Sequence, residues 1–161
     1  MYFEEYEFLF HSNLIENERS LKALTDSTSA WLFAKKNRYI IDVDIIQKIH
    51  YRLLRRLDIE VAGKIRTRDI YVGDKTGYDK CFEPGMIDTN LREWSNRFYK
   101  VKSWTNIKEM SIDFLKIHPF EDGNGRTGRI LMNLQRINDG MDPLVIHVGK
   151  EQQEYYTWFR K

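Results

Sequence analysis

The side chains in this sequence that could do chemistry are concentrated in residues 118–129, which read His-Pro-Phe-Glu-Asp-Gly-Asn-Gly-Arg-Thr-Gly-Arg. Glycines allow close backbone approach, so successive amides of residues 123–125 can converge on an anion. A helix that begins after this loop adds the positive end of its dipole. Arg126 and Arg129 lie three residues apart on one side of that helix and add full positive charges. The pattern predicts a loop that binds a polyphosphate.

Two further side chains stand at the edge of this loop. Asp122 is suited to a hard divalent cation such as Mg²⁺, which binds one or two carboxylates together with phosphate oxygens. His118 has an ordinary pKa of about 6.5, so its imidazole can accept a proton from a hydroxyl near neutral pH. A base, a metal carboxylate and a phosphate-binding loop together predict transfer of a phosphorus-centred group.

Two helices must position the loop. The first has to end near His118, because Pro119 disfavours helical geometry in the residue before it. The second begins after the loop and ends at Gly140 and Pro143. Both helices have apolar residues at helical spacing. These are Ile107, Met110, Phe114 and Ile117 in the first helix, and Ile130, Leu131, Leu134 and Ile137 in the second.

The rest of the chain also indicates helices, with one exception. We expect an opening helix at residues 8–22, one or two turns at 31–36, a helix from Asp42 and an amphipathic stretch at 150–161. The exception is a hairpin, with strands at residues 70–72 and 80–82 and a turn at 74–77. Pro84 then begins another helix. The prediction is a mainly α fold with one small β-hairpin.

The composition is that of one globular domain. The chain has 161 residues, 42% hydrophobic content and a formal charge of +2, which excludes a disordered or disulfide-rich protein. The near-neutral charge argues against a nucleic-acid partner. A single cysteine, an acidic start and the absence of a long apolar run predict a cytoplasmic protein with no membrane partner.

Residues 118–129 resemble the signature of the Fic (Fic/Doc) family, His-Pro-Phe-x-Asp/Glu-Gly-Asn-Gly-Arg-x-x-Arg, at every defined position. We call them the signature loop. The resemblance continues outside it, in Ile-His-x-x-Leu at 49–53, in Ala-Gly-Lys-Ile-Arg at 62–66, and after the loop through Pro143 to the tyrosines at 155–156. It covers about residues 40–161 and implies the helical bundle of that family, with the hairpin as its flap.

The resemblance implies transfer of AMP from ATP to a Ser, Thr or Tyr hydroxyl of an unidentified target protein. His118 would be the catalytic base, and Asp122 would hold Mg²⁺. The residues implied in ATP binding are Gly123, Asn124, Gly125, Arg126 and Arg129, with the Asn124 side chain as well as the loop amides holding phosphate. The flap residues implied in target binding, by strand addition, are Ile70, Tyr71, Val72, Lys80, Cys81 and Phe82.

A second motif lies near the start of the chain. Residues 12–17, Ser-Asn-Leu-Ile-Glu-Asn, resemble the inhibitory motif Ser/Thr-x-x-x-Glu-Gly/Asn of the family, with Ser12, Glu16 and Asn17 at its defined positions. The resemblance implies that Glu16 pairs with Arg129 and so takes away the partner of the γ-phosphate.

We therefore expect a single Fic domain over residues 1–161. It would comprise an inhibitory helix at about 8–22, a core at about 40–161 and a flap at about 69–83. The chain ends on apolar and basic residues without a helix cap, which suggests truncation at the C-terminus.

Several alternatives stay open from the sequence. Doc relatives that phosphorylate have Ala and Lys where this chain has Gly123 and Gly125, so AMP transfer is favoured over phosphorylation. Removal of AMP from a modified target and transfer of UMP are both compatible with the loop. A third hypothesis is a binding module that keeps the nucleotide pocket but works through protein association, and a homodimer is also compatible. We expect His50 to be a buried, hydrogen-bonded residue and the four tryptophans to lie in the core or at interfaces.

Overall fold

The computed structural model describes residues 1–74 and 77–159, with the side chains of residues 74 and 77–79 left out of the description. Within these residues the fold is mainly helical with one hairpin, and this prediction is confirmed. The helices are α1 (Phe3–Ile15), α2 (Leu21–Lys36), α3 (Val43–Leu54), α4 (Ile87–Arg97), α5 (Trp104–Ile117), α6 (Asn124–Asn138) and α7 (Lys150–Thr157). The strands are β1 (Tyr71–Asp74) and β2 (Gly77–Lys80), and a 3₁₀ turn, Pro84–Met86, precedes α4.

The start of the chain differs from the prediction of a helix at 8–22. The helix α1 begins at Phe3 and ends at Ile15, because Asn17 takes a left-handed conformation with φ 57°. The amides of Asn17 and Glu18 bond back to the carbonyls of Leu14 and Asn13, which is a Schellman cap. Residues 31–36, expected as one or two turns, are instead the end of the longer helix α2.

The helix predicted from Asp42 is present as α3. The Asp42 side chain accepts a hydrogen bond from the amide of Ile45 at 2.8 Å and so caps the helix. The apolar residues of α3 are buried, as their spacing predicts. They include Ile45, Ile46, Ile49, Leu53 and Leu54.

The hairpin lies where the sequence predicts one, but its strands are displaced toward the tip. Tyr71 pairs with Lys80 and Gly73 with Tyr78 in an antiparallel ladder. The pairing continues outward, because the amide of Cys81 donates to the carbonyl of Ile70 at 3.0 Å. Residues 74 and 77, expected in the turn, are paired strand residues, and residues 75–76 of that turn lie outside the described residues.

The main core lies between α1, α2, α3, α4, α5 and α6. Its largest fully buried side chains include Trp31, Trp94, Phe98, Phe114 and Phe120. A second apolar cluster, formed by Ile15, Ile107, Met132, Ile146 and Tyr155, joins the end of α1 to α7. The tryptophan prediction is confirmed, since Trp31 and Trp94 are core residues and Trp104 packs against Trp158. These clusters fix the ends of α1, α5, α6 and α7 relative to one another, and the site lies there.

The helix α7 ends at Thr157, short of the predicted end at residue 161, and residues 160–161 lie outside the described residues. No helix in the described part of the chain is long and apolar enough to cross a membrane.

Candidate active site

His118 follows the last turn of α5 in a left-handed conformation, with φ 48° and ψ 63°. Its Nδ1 lies 3.2 Å from the carbonyl oxygen of Leu115. A carbonyl can only accept a hydrogen bond, so Nδ1 carries the proton and Nε2 keeps a free lone pair. Burial lowers the pKa of His118 below the usual value of 6.5. The imidazole is therefore neutral at pH 7 and can act as a base through Nε2.

The turn into the signature loop is braced by Asn124. Its side-chain oxygen accepts from the amide of Phe120 at 3.0 Å, and its side-chain nitrogen donates to the carbonyl of Phe120 at 2.8 Å. The Asn124 side chain is buried and both its polar atoms are engaged. The side chain therefore braces the loop and keeps one further N–H, so its role in holding phosphate stays a prediction.

His50 supports the same loop from α3. The amide of Gly63 donates to its Nδ1 at 2.8 Å, so its Nε2 carries the proton and donates to the carbonyl of Asp122, also at 2.8 Å. Its ring stacks on Phe120 with the centroids 3.7 Å apart. Burial lowers the pKa of His50 to about 4. The prediction of a buried, hydrogen-bonded histidine is confirmed.

Gly123 is required where the loop turns into α6. Its φ is +74°, and a Cβ there would lie 2.8 Å from a Leu54 methyl carbon and 3.0 Å from Nε2 of His50. The first amides of α6 have no partner within the helix and point out of its N-terminal end. Arg126 is buried beside them, and its Nε has no hydrogen-bond partner among the described residues. This end of α6 thus has the donors that a phosphate needs.

Asp122 has a largely exposed side chain, with a relative accessibility of 65%. Its Oδ1 accepts from the amide of Gly123 at 2.6 Å, and its Oδ2 lies 3.5 Å from Nη2 of Arg126. The described residues contain no group of three or more metal-ligating side chains. One exposed carboxylate beside a phosphate site fits Mg²⁺, which keeps water and phosphate as its other ligands.

Arg129 joins α6 to residues 12–17. Its Nη2 lies 2.6 Å from Oε1 of Glu16 and 3.0 Å from the carbonyl oxygen of Ser12. Its Nε donates to the Ser12 hydroxyl at 2.8 Å. The guanidinium is nearly fully buried, and Tyr155 packs 5.7 Å from it. The structure therefore brings Ser12, Glu16 and Arg129 together, as the resemblance implies.

The position of the Glu16 carboxylate depends on its neighbours on both sides. A Cβ on Gly125 would lie 2.5 Å from Oε1 of Glu16, so the carboxylate lies directly against the start of α6. On the other side, Asn17 ends α1 in a left-handed conformation, which Asn and Gly adopt most readily. This explains why the last position of the motif takes Gly or Asn. Residues 12–17 place a negative charge over the signature loop.

The residues of the flap expected in target binding differ in their exposure to solvent. Tyr71, Val72, Lys80 and Phe82 are exposed, and Ile70 is half-buried. Cys81 is buried, so its side chain does not face outward, and its part in target binding by main-chain pairing stays a prediction. Its side chain lies on the inner side of the hairpin because neighbouring residues of a strand face opposite ways.

Two ties between the flap and the signature loop were not assigned a role from the sequence. The buried guanidinium of Arg66 donates to the backbone carbonyl of His118 at 2.6 Å. The guanidinium of Arg68 forms a two-fold hydrogen bond with the Glu121 carboxylate, one arm of which is 3.0 Å long. The only sequence signal for Arg66 was its place at the end of the Ala-Gly-Lys-Ile-Arg pattern at 62–66. No signal indicated Glu121, which occupies the undefined position x of the signature.

Comparisons with known proteins identify the family. The family model for the Fic/DOC family matches residues 40–135, which is more than half of the chain. The chain therefore belongs to the Fic/DOC family.

Among curated relatives, the chain is similar to protein adenylyltransferase fic-1 of Caenorhabditis briggsae, with 32% identity over 150 residues. The match covers 91% of this chain and 28% of that protein. It is also similar to protein adenylyltransferase Fic of Aedes aegypti, with 31% identity over 137 residues, covering 78% of this chain and 25% of the relative. The chain thus spans about a quarter of the length of these relatives.

Solved structures share the fold. A Fic-domain-containing signalling protein from Bacteroides thetaiotaomicron superposes with a TM-score of 0.83 at 19% identity, covering 95% of this chain and 69% of that one. Fic-1 from Caenorhabditis elegans (residues 134–508) gives a TM-score of 0.73 at 22% identity, covering 98% of this chain and 55% of that one. At these identities the likeness extends to the fold.

Proposed function

We propose that this chain is a protein adenylyltransferase domain that moves AMP from ATP to a hydroxyl of a target protein. The observation that carries the proposal is the arrangement around the signature loop. A neutral His118 with a free Nε2 lies on the same loop as the amide-rich start of α6 and the two arginines. The names of the curated relatives support the same activity.

The proposed reaction divides between positioning and proton transfer. Nε2 of His118 removes the proton of the acceptor hydroxyl as the oxygen attacks the α-phosphorus of ATP. The new bond joins the acceptor oxygen to phosphorus, the bond from phosphorus to the bridging oxygen breaks, and pyrophosphate leaves. The loop amides, Arg126 and Arg129 hold the phosphates so that attack and departure are in line.

We also propose Asp122 as the protein ligand of the Mg²⁺ that accompanies ATP. The ion would neutralise phosphate charge when it is bound. Asp122 is suited to this role because its carboxylate is exposed and anchored by the amide of Gly123.

Glu16 is proposed to inhibit this activity. Its carboxylate is bonded to Arg129 and lies against Gly125, where a γ-phosphate would otherwise find its charge partner. A nucleotide with a full triphosphate would meet a negative charge at that place. ATP would then bind in a pose that does not place its α-phosphate opposite the acceptor.

The test is labelling of protein from α-labelled ATP and Mg²⁺, with lysate proteins as acceptors. We expect weak labelling by the wild type, at least about ten-fold more by Glu16→Gly, and none by Glu16→Gly with His118→Ala. The matched control is Glu4→Gln, in the same helix α1, at an exposed position. It should label like the wild type. A Glu16→Gly variant that binds ATP but labels neither itself nor any other protein would contradict the proposal.

Removal of AMP from a modified protein is the second candidate, because the Glu16 carboxylate is partly exposed within the site. There it would act on a water instead of excluding a phosphate. Wild type that releases AMP from a pre-modified target, and loses this ability on Glu16→Gln, would favour the second candidate. Labelled UTP in the same assay distinguishes transfer of UMP from transfer of AMP.

A further inference from the structure

Arg66 is a buried cation whose side chain is bonded to the backbone. It is 2% exposed. Its Nε donates to the carbonyl of His118 at 2.6 Å, and its Nη1 donates to the carbonyl of Arg68, also at 2.6 Å. Its Nη2 is shared between the carbonyls of Phe82 and Ile117. Burying a guanidinium is costly, and these four carbonyls offset the loss of water.

The four carbonyls belong to two different parts of the site. Ile117 and His118 form the turn that carries the base, whereas Arg68 and Phe82 lie on the two stems of the flap. The backbone of Arg66 adds a further tie, because its amide donates to the carbonyl of Pro119 at 3.0 Å. One residue therefore links the catalytic turn to both ends of the hairpin.

We propose that Arg66 is a positioning residue that sets the distance between the flap and His118, and so between the acceptor hydroxyl and the base. This inference rests on the proposed function. A target segment that joins the flap by main-chain pairing takes its position from the flap. The left-handed conformation of His118 costs free energy and persists only where surrounding contacts hold it. A misplacement of about 1 Å between reacting groups can cost 10²-fold in rate.

The chemistry of the contact calls for arginine. A planar guanidinium has donors on three nitrogens in a fixed fork, so it reaches carbonyls on several sides at once. The compact ammonium of lysine keeps the charge but cannot span the same set of carbonyls. Arg68 and Glu121 tie the same two parts together on the surface. Being exposed to solvent, that pair contributes less than Arg66.

The experiment uses Arg66→Lys and Arg66→Met in the Glu16→Gly protein. The matched control is Arg136→Met, which removes another arginine bonded to a backbone carbonyl, that of Asp142 at 2.9 Å, away from the flap. Three quantities are compared, namely the labelling rate from α-labelled ATP, the affinity for Mg²⁺-ATP by calorimetry and the unfolding temperature. Two further readouts are the amide exchange of Cys81, whose amide donates to the carbonyl of Ile70 on the opposite stem of the flap, and the NMR resonances of the His118 ring.

We expect the labelling rate to fall on the order of 10²-fold in Arg66→Met and about ten-fold in Arg66→Lys, with affinity for Mg²⁺-ATP changed less than about two-fold. Amide exchange at Cys81 and the His118 ring resonances should change in both Arg66 variants. The control should label at the parent rate and leave exchange and resonances unchanged. Arg66→Lys keeps the test decisive if Arg66→Met does not fold.

Equal labelling by the parent and the Arg66 variants would overturn the inference. An equal loss of labelling rate and of affinity for Mg²⁺-ATP would also overturn the inference, because Arg66 would then support the whole loop. If the parent does not label any protein, the proposed function fails. The amide exchange of Cys81 and the His118 ring resonances then test the link made by Arg66 independently of activity. Unchanged exchange at Cys81 and unchanged His118 resonances would then refute the link.

Discussion

The signature loop and the flap are both short and both lie beside His118, but they are held in opposite ways. Buried contacts surround the loop, since His50, Arg66 and Asn124 each bond its backbone. The flap is a two-stranded hairpin whose Tyr71 and Val72 side chains are exposed. An isolated hairpin of this kind is only marginally stable in water.

The difference follows from what each part would bind. A triphosphate has fixed geometry, so a loop that is already formed loses little freedom on binding it. A target segment joins the flap through main-chain groups, which every sequence has. A loop supported along its length and a hairpin held at its stems would combine strict selection of nucleotide with tolerance of the acceptor sequence.

The largest expected effect comes from removing the base. In the Glu16→Gly protein, His118→Ala should lower the rate of AMP transfer by about 10²- to 10⁴-fold, because it removes the neutral imidazole proposed as the base. The affinity for Mg²⁺-ATP should stay close to that of the parent. The rate is measured with α-labelled ATP and the affinity by calorimetry. Transfer that persists within a few-fold would mean that the base lies elsewhere.

The second effect concerns the support of the loop by His50. Its pKa is about 4 in the folded protein and near 6.5 when unfolded, so the unfolded state binds a proton first as the pH falls. Stability should therefore decrease between pH 6.5 and pH 4, by about 3 kcal/mol in all from this residue. Urea unfolding over that range measures it.

The variant for this test is His50→Gln, which keeps a donor and an acceptor but does not titrate. Its stability should depend less on pH than that of the wild type across the same range. Identical pH dependence in His50→Gln and wild type would show that His50 is not the group that titrates.

A smaller effect is expected from the backbone of the loop. Gly123→Ala places a Cβ against Leu54 and His50 at a positive φ. We expect a loss of roughly 1–3 kcal/mol in unfolding free energy, with weaker binding of ATP. Gly85→Ala, where a Cβ would meet nothing within 4 Å, is the matched control. Equal stability of the two variants would mean that the loop can relax around the added carbon.

The smallest effects should come from the flap side chains. Tyr71→Ala and Val72→Ala should each change the unfolding free energy by less than about 0.5 kcal/mol, because both side chains are exposed. Transfer to protein should fall less than about three-fold, since main-chain pairing carries strand addition. Chemical denaturation and the labelling assay measure the two quantities. A severe loss of transfer in either variant would show that the flap reads side chains and would remove the contrast with the loop.

Local patterns predicted the elements that carry their own signals. Pro119 marks the end of α5, and Asp42 marks the start of α3. The opening helix was misplaced because the signal that ends it is a single left-handed residue, Asn17, which is not distinctive in a polar stretch. The hairpin strands were placed short of the tip, since register depends on pairing across the turn.

By itself, the sequence determined the chemical identity of the site. The order of His118, Asp122, the glycines and the two arginines along one loop is local, so their types and spacing predict phosphoryl-type chemistry, and their resemblance to the family signature pointed to the family that residues 40–135 match. The motif at 12–17 likewise named Glu16 as the partner of Arg129.

Only the tertiary structure decided which groups are available. The Asn124 side chain is hydrogen-bonded to the backbone of Phe120, and the Cys81 side chain is buried. The carbonyl of His118 accepts a hydrogen bond from Arg66, which lies far away in the sequence. The physical reason is that hydrogen bonds and burial are satisfied between segments far apart in sequence, and no local pattern records how those demands are met.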